Sequence, residues 1–314
     1  MITLQEIEKA KEQIKDIARV TPIITSRQLN EQTGKQIYLK GEHLQTTGSF
    51  KIRGATNKLK QIAEEGVKQV VAASSGNHGQ AVAYVAKELG MDASIVVPED
   101  ASQVKIKAIT SYGGKVIKHG TTSSERIDYA QTLDGRFIPP YDDVDIISGQ
   151  GTIGLEMMCQ VRPADTILVP VGGGGLLAGV LVAVKQRNPN IQVIAVEPEI
   201  ANDTYLSLAA GDWKNIGETR TIADGLRTSE PGNMTFPIVQ EYIDDIILVS
   251  EEEIKQAMKF SYERLKQAIE PSGAVTLAAC LAGKLPNTSE HVVSIISGGN
   301  IDLTNTSNLR LLMA

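Results

Sequence analysis

Residues 167–184 read ILVPVGGGGLLAGVLVAV and contain no charged or polar side chain. The stretch approaches the length of a membrane-spanning helix, which needs about 20 apolar residues. Pro170 and the glycines at 172–175 would interrupt such a helix at its middle. A buried strand, a glycine turn and a buried helix explain these residues better. The segment therefore predicts one strand–turn–helix unit of an α/β protein.

Short apolar runs alternate with helical patterns on both sides of this segment. Strands are predicted at residues 67–73, 92–97, 115–118, 166–171, 191–196, 245–249 and 291–296. Strands separated by helices of about 10 to 15 residues indicate βαβ units, and parallel sheets covered on both faces explain the continuous Val and Ile runs. The expected fold class is α/β with two sheets. Because no Pro/Ser-rich linker divides the chain, we expect the second domain to be inserted within the first.

The composition excludes several classes of protein. With 314 residues, of which 42% are hydrophobic, the chain can form about two globular domains and is not disordered. A net charge of −6 and 4% aromatic residues argue against nucleic-acid binding. Cys159 and Cys280 form no disulfide framework or zinc motif, which fits a reducing compartment. No signal peptide is recognisable, so we expect a cytoplasmic protein without a nucleic-acid or membrane partner.

Four strand ends carry unusual residues, at the positions where ligands bind in open α/β sheets. They are residues 171–179 (VGGGGLLAG), 73–80 (ASSGNHGQ), 295–300 (IISGGN) and 47–55 (TGSFKIRGA). The glycines at 172–175, the tetraglycine loop, let backbone N–H groups converge at a helix N-terminus, which makes a phosphate-binding site. The hydroxyl and amide side chains of 73–80 suit a carboxylate or another small anion.

Two of these segments, the tetraglycine loop and the segment with Lys51, also have alternative interpretations. Gly173, Gly175 and Ala178 satisfy the dinucleotide pattern G-x-G-x-x-A, and Glu197 follows where a ribose-binding carboxylate would be expected. The tetraglycine loop alone therefore leaves a phosphate monoester, a dinucleotide and a purely structural turn open. Most lysines are solvated surface charges, yet Lys51 between apolar neighbours would be desolvated, which favours the nucleophilic amine form.

Taken together, these segments resemble the pyridoxal-phosphate (PLP) enzymes of fold type II, which are similar to the tryptophan synthase β subunit. The serine/threonine dehydratase and serine racemase group is the most similar, and further shared motifs lie at 21–22, 149–152, 197–198, 223–225 and 270–274. The resemblance implies two domains, each a mostly parallel twisted sheet flanked by helices. It implies a large PLP-binding domain of residues 1–47 and 147–314, and a small mobile domain of residues 48–146.

The resemblance also implies roles for individual residues. Lys51 would bind PLP covalently and transfer the α-proton of the substrate. The other implied cofactor contacts are Phe50, Asn77, Gly172, Gly173, Gly174, Gly175, Leu176, Glu270 and Ser297. Ser297 would face the pyridine nitrogen, and because a hydroxyl cannot keep that nitrogen protonated as a carboxylate would, the ring would be a weaker electron sink. The weaker sink favours prompt β-elimination.

The implied reaction is dehydration and deamination of L-threonine or L-serine, giving 2-oxobutanoate or pyruvate and ammonia. Ser74, Ser75, Asn77 and His78 would surround the substrate carboxylate. In racemases of this group a serine at the position of Ser75 lies on the cofactor face opposite the lysine. Serine racemisation is therefore the leading alternative, although Ser75 could also be an ordinary helix cap.

The substrate side chain, the cation and the assembly are less well defined by the resemblance. Tyr141 would lie near the substrate side chain, in PPYDD at 139–143, where relatives more often have His-Pro-Phe or His-Pro-Asn. The resemblance implies a Mg²⁺ or Ca²⁺ site formed by Glu197, the Ala201 carbonyl and Asp203, the alternative being a solvated acidic turn. We expect a homodimer acting on a small hydroxy amino acid. An NAD-dependent oxidoreductase and a non-catalytic amino-acid sensor are the alternatives from other classes.

Overall fold

The computed structural model describes residues 2–302 of the chain. The strands are β1 (Ile23–Thr25), β2 (Gln36–Gly41), β3 (Gln69–Ala73), β4 (Asp92–Val97), β5 (Lys115–Lys118), β6 (Arg136–Phe137), β7 (Thr166–Pro170), β8 (Gln192–Pro198), β9 (Asp245–Val249) and β10 (His291–Ile296). The α-helices are α1 (Leu4–Ile14), α2 (Arg27–Thr33), α3 (Lys51–Glu64), α4 (Asn77–Glu88), α5 (Gln103–Ser111), α6 (Ser123–Thr132), α7 (Val144–Gln160), α8 (Gly175–Lys185), α9 (Asp203–Ala210), α10 (Thr235–Tyr242), α11 (Glu251–Phe260) and α12 (Pro271–Leu281). Short 3₁₀ helices occupy Glu42–Leu44 and Asp224–Leu226, and a π-helical turn follows α11 at Ser261–Leu265.

The strands form two sheets, which confirms the predicted α/β class. The larger sheet has six strands in the order β1-β2-β10-β7-β8-β9, and only the β1–β2 pair is antiparallel. The smaller sheet has four parallel strands in the order β5-β4-β3-β6. Its strands all lie between residues 69 and 137, whereas the larger sheet takes strands from both sides of that range.

The domain boundaries stay a prediction. The expected boundary between residues 146 and 147 falls inside α7, because that helix already begins at Val144. Position 1 and positions 303–314, which the large domain was expected to include, lie outside the described residues. None of the helices in residues 2–302 has both the length and the apolar character needed to cross a membrane.

All seven predicted strands are present, with small shifts at their ends, whereas three strands were missed. β1 and β6 have three and two residues and are too short to show a pattern. β2 was missed because its sequence, QIYLKG, contains a lysine that is nevertheless fully buried. One prediction was wrong: Lys51 does not follow a strand end, since a 3₁₀ turn separates it from β2 and Lys51 itself begins α3.

The segment 167–184 forms the predicted strand, turn and helix. Every residue of β7 is buried, and α8 is buried from Gly175 to Val184. Helix α7 crosses α8 at Gly151 and Gly179, where a Cβ atom on Gly151 would lie 2.7 Å from the Gly179 carbonyl oxygen. A Cβ atom on Gly179 would lie 2.6 Å from the Gly151 nitrogen. The two helices therefore pack backbone against backbone, which only glycine allows.

Four buried charges join α3 to the larger sheet and to α7. The Arg53 guanidinium donates to both carboxylate oxygens of Glu42 at 2.8 Å and to the carboxylate of Glu156 at 2.7 and 2.8 Å. Lys40 Nζ donates to the Glu156 carboxylate at 2.6 Å. We call these four residues the charge cluster. Burial alone would raise the pKa of Glu42, but the Arg53 guanidinium outweighs burial and lowers it, so Glu42 is ionised beside Arg53. The formal charges of the four side chains sum to zero.

We expect that replacing Arg53 by methionine destabilises the protein strongly, because two buried carboxylates lose their main partner. Breaking a buried ion pair by removing one side costs about 3–5 kcal/mol. Urea unfolding followed by circular dichroism measures the effect. The matched control is Arg27→Met, which removes an exposed pair with Glu31 and should change the unfolding midpoint little. Equal midpoint shifts for the two variants would contradict the importance of the charge cluster.

Candidate active site

Lys51 is the first residue of α3 and is partly buried. Its Nζ donates to the Pro140 carbonyl oxygen at 2.7 Å and lies 5.2 Å from the centre of the Phe50 ring. Within residues 2–302 no carboxylate forms an ion pair with Lys51, whereas the fully buried Lys40 pairs with Glu156. Burial lowers the pKa of Lys51 from 10.5 to about 8. A substantial share of this amine is therefore neutral and nucleophilic near pH 8.

The segment before Lys51 is joined to the loop that follows β10. The Phe50 N–H donates to the Ser297 carbonyl oxygen at 3.0 Å, and the Gly299 N–H donates to the Gly48 carbonyl oxygen at 2.9 Å. The Ser297 hydroxyl is buried and makes only a long bond, 3.4 Å, to the Ser272 carbonyl oxygen. The buried Ser49 hydroxyl has no partner among the described residues. Hydroxyl groups with weak or no protein partners therefore line this side of Lys51.

The tetraglycine loop connects β7 to α8. Gly174 has φ +88°, and a Cβ atom there would lie 2.7 Å from the Thr235 hydroxyl oxygen. The first turn of α8 has no acidic side chain and no side chain that caps it. Its first N–H groups have no intrahelical acceptor and carry the positive end of the helix dipole. This loop and helix start have the features of an anion site, and phosphate binding there stays a prediction.

Residues 74–78, the serine loop, follow β3, and the last two of them begin α4. Gly76 is the N-cap of α4 and no side chain caps the helix, so the interpretation of Ser75 as a helix cap is wrong. The Ser74 hydroxyl accepts from the Gly76 N–H at 3.3 Å, whereas the Ser75 hydroxyl has no hydrogen bond among the described residues. The buried His78 ring bonds to the Ile138 carbonyl oxygen at 2.9 Å. Burial, together with the charge of Lys51, lowers the pKa of His78 to about 3, so the imidazole is neutral.

The Asn77 side chain links the serine loop to the larger sheet. Its Nδ2 donates to the Glu270 carboxylate at 2.6 Å, and its Oδ1 accepts from Asn300 Nδ2 at 2.7 Å. Burial, together with the charge of Asp224, raises the pKa of Glu270 to about 7. Asn300 ends the SGGN motif at 297–300, and no role was predicted for it from the sequence. Its only signal was its place in a polar loop after a buried strand.

These contacts bring most of the predicted site residues together. Lys51 contacts Pro140, and the next residue, Tyr141, packs its ring against Gly173 of the tetraglycine loop. The residues assembled around these contacts are Phe50, Ser74, Ser75, Asn77, His78, Gly172, Gly174, Gly175, Leu176, Glu270 and Ser297. Their loops follow β3, β7 and β10, so the site lies where the carboxyl ends of both sheets meet.

The predicted cation ligands lie around the start of α9. The Glu197 carboxylate accepts from the Thr204 and Tyr205 N–H groups at 3.1 and 2.9 Å, and the Asp203 carboxylate accepts from the Thr228 hydroxyl. Burial, together with the charge of Asp203, raises the pKa of Glu197 to about 8. No cluster of three or more His, Cys, Asp or Glu residues suited to a metal occurs in the described part of the chain. The cation site stays a prediction.

The neutral fraction of Lys51 can be measured directly. Competitive acetylation of the full-length protein without PLP, followed by peptide mass spectrometry, should give a labelling midpoint at position 51 of about pH 8, because burial disfavours the charged amine. The same protein unfolded in urea is the control, since an ordinary lysine titrates at about 10.4. Equal midpoints in the folded and unfolded protein would contradict the lowered pKa.

Known proteins match this chain over nearly its whole length. The family described as "Pyridoxal-phosphate dependent enzyme" matches residues 14–298. Serine racemase of Dictyostelium discoideum is 46% identical over 317 residues, which cover 98% of this chain and 98% of that protein. The catabolic L-threonine dehydratase TdcB of Escherichia coli K12 is 42% identical over 315 residues, which cover 98% of this chain and 96% of that protein.

Solved structures agree over the same extent. Maize serine racemase has a TM-score of 0.93 at 39% identity, covering 98% of this chain and 97% of that one. A threonine deaminase from the organism abbreviated T.th. has a TM-score of 0.90 at 43% identity, covering 96% of this chain and 99% of that one. These neighbours confirm the fold type II architecture. The chain belongs to the pyridoxal-phosphate dependent enzyme family.

Proposed function

We propose that this protein is a PLP-dependent ammonia-lyase that converts L-threonine, L-serine or both to 2-oxobutanoate or pyruvate and ammonia. The observation that carries the proposal is the Lys51 amine, which has a lowered pKa and, within residues 2–302, hydrogen-bonds only to the Pro140 carbonyl oxygen. The similarity to proteins named threonine dehydratase, threonine deaminase and serine racemase supports it. The substrate we propose is a small hydroxy amino acid.

The residues of the site fit PLP. The N–H groups of residues 172–176, at the start of α8, would hold the phosphate, because N–H groups at a helix N-terminus without a side-chain cap can donate to an anion. Lys51 would bind the aldehyde carbon, and Phe50 and Glu270 would border the ring. Ser297 would face the ring nitrogen and Asn77 the 3-oxygen. Bound there, PLP would supply an electron sink that acidifies the α-carbon of the amino acid.

The protein groups would then orient the substrate and move its proton. Ser74, Ser75, Asn77 and His78 surround a helix start that suits the substrate carboxylate, and a neutral His78 can donate or accept a hydrogen bond there. The amino group of the substrate would displace Lys51 from the aldehyde carbon, and the freed Lys51 amine would then remove the α-proton as general base. The β-hydroxyl would leave as water with a proton from the phosphate group or another nearby acid, which the proton held at Nζ would replace. Hydrolysis of the released enamine would give the 2-oxo acid and ammonia.

Serine racemisation is the second candidate function. It is favoured by the Ser75 hydroxyl, which has no hydrogen bond within residues 2–302 and does not cap α4. A hydroxyl on the face opposite Lys51 could return a proton to the α-carbon with inverted configuration. The 46% identity to a protein named serine racemase supports this candidate. Both activities could share one site, because each begins with removal of the α-proton.

The remaining features are proposed from the family resemblance. Glu197, the Ala201 carbonyl and Asp203 would bind Mg²⁺ or Ca²⁺, a charge that two close, buried carboxylates would favour. Tyr141 would contact the substrate side chain. We further propose a cytoplasmic homodimer, with a small domain of residues 48–146 that closes over the substrate and excludes water.

Replacing Lys51 by alanine should abolish both the visible absorbance of bound PLP and 2-oxo acid formation. Loss of a general base alone typically costs about 10²–10⁴-fold in rate, and here the covalent attachment is lost as well. The assay is a panel of hydroxy amino acids in which 2-oxo acid, ammonia and enantiomer are measured together. Lys60→Ala, on the same helix but bonded to Asp16, is the control that should keep activity. A wild-type protein that converts no member of the panel would refute the proposed function.

Replacing Ser75 by alanine should separate the two candidate functions. If Ser75 returns the proton on the face opposite Lys51, the variant loses D-serine formation while ammonia release from L-serine falls by less than about tenfold. Chiral chromatography and an ammonia assay on the same reactions measure both. Absence of D-serine from wild-type reactions would remove the racemase candidate, and equal D-serine from both proteins would exclude Ser75 from it.

A further inference from the structure

The short stretch 140–143, which we call the linker turn, connects β6 to α7 and is fixed at both ends. Its first carbonyl group, that of Pro140, accepts from Lys51 Nζ at 2.7 Å. At the other end the Asp143 carboxylate accepts from the Asp145 and Ile146 N–H groups at 2.9 and 3.1 Å and so caps α7. The two residues between, Tyr141 and Asp142, are therefore presented from a defined backbone.

Asp142 attaches the linker turn to the segment that precedes α10. Its carboxylate accepts from the Asn233 N–H at 3.0 Å and from the Met234 N–H at 2.8 Å. A Cβ atom on Gly232 would lie 2.5 Å from Asp142 Oδ1, so the glycine permits this approach. Nothing in the reaction proposed above uses Asp142.

Tyr141 and Thr235 carry this attachment to the tetraglycine loop. The Tyr141 ring packs against Gly173, and a Cβ atom on Gly175 would lie 2.9 Å from the Tyr141 Cβ. From the other side, the Thr235 hydroxyl donates to the Gly173 carbonyl oxygen at 2.8 Å. The loop is thus enclosed between the linker turn and the start of α10, and Asp142 is the side chain that joins these two walls.

The charge of Asp142 makes a direct role in anion binding unfavourable. A carboxylate near the tetraglycine loop would repel a phosphate group, and Asp142 contributes, after burial, to raising the pKa of Tyr141. Its two bonds to backbone N–H groups explain why a carboxylate is present at this position. A carboxylate accepts two such donors with its two oxygens, and charge-assisted bonds of this kind are stronger than neutral ones.

We propose that Asp142 is a positioning residue for the phosphate group of the cofactor. It holds Tyr141 and the start of α10 together, so that the tetraglycine loop keeps its binding shape before the anion arrives. The inference rests on the proposed binding of PLP at this loop. Preorganisation of this kind improves affinity because the ordering cost is not paid on binding.

The test compares PLP with pyridoxal, which has the same ring and aldehyde but no phosphate. Equilibrium dialysis of the full-length protein against each compound gives the two dissociation constants. If Asp142→Ala leaves the loop competent about one tenth of the time, its dissociation constant for PLP rises about tenfold, while that for pyridoxal is unchanged. Thr122→Ala, which removes a side chain that accepts from a backbone N–H group at the start of α6, should change neither constant.

A second route breaks the same attachment without changing Asp142. Gly232→Ala should raise the PLP constant as Asp142→Ala does, and the double variant should be no worse than either single one, because both disrupt one contact. If Asp142→Ala does not fold, Asp142→Asn, which keeps one acceptor oxygen, should show a smaller rise for PLP alone.

Two results would overturn the proposal: an unchanged PLP constant in the folded variants, or equal losses for PLP and pyridoxal. A wild-type protein that binds PLP but converts no amino acid would refute the proposed function while leaving this inference standing.

Discussion

The charge cluster is the constraint on which the rest of the site depends. Removing four charges from water is costly. The cost is offset only in the arrangement in which each member of the cluster contacts its partner, as Arg53, Lys40, Glu42 and Glu156 do here. The cluster therefore admits one position of α3 relative to β2 and α7. The formal charges of the cluster cancel. Lys51 lies two residues from Arg53, and burial is what lowers its pKa. The cluster fixes where the amine lies and leaves its reactivity to the local surroundings.

Around that amine, the described residues keep charge low and leave polar groups available. Lys51 has a carbonyl partner and no carboxylate, and His78 is held neutral by burial and by the lysine. Glu270 has a pKa raised to about 7 and accepts from Asn77. Groups with pKa values near neutrality gain or lose protons at little cost, which proton-transfer chemistry requires. Among the described residues the Ser75 hydroxyl has no hydrogen bond, the Ser297 hydroxyl has only a long one, and no side chain caps the start of α8.

The sequence was sufficient wherever one physical effect dominated. Continuous Val and Ile runs predicted the buried parallel strands, and the apolar segment with four glycines predicted the strand, turn and buried helix of β7 and α8. β2 was missed because Lys40 disguises a buried strand, and only the folded structure brings its partner Glu156 close. Asp142 and Asn300 were missed for the same reason, since their partners lie 91 and 223 residues away along the chain. Ser75 was considered as a possible cap of α4, whereas Gly76 is the N-cap residue of that helix.

The crossing of α7 and α8 has a consequence for how this protein can diversify. Gly151 and Gly179 leave no room for a larger amino acid, since even one methyl group would meet the opposing backbone. Both helices begin at the site, α7 after the linker turn and α8 at the tetraglycine loop. Substitutions at this crossing are therefore disfavoured, whereas the turns that precede the two helices can still accept them. New substrate ranges can arise in those turns while the scaffold beneath them stays unchanged.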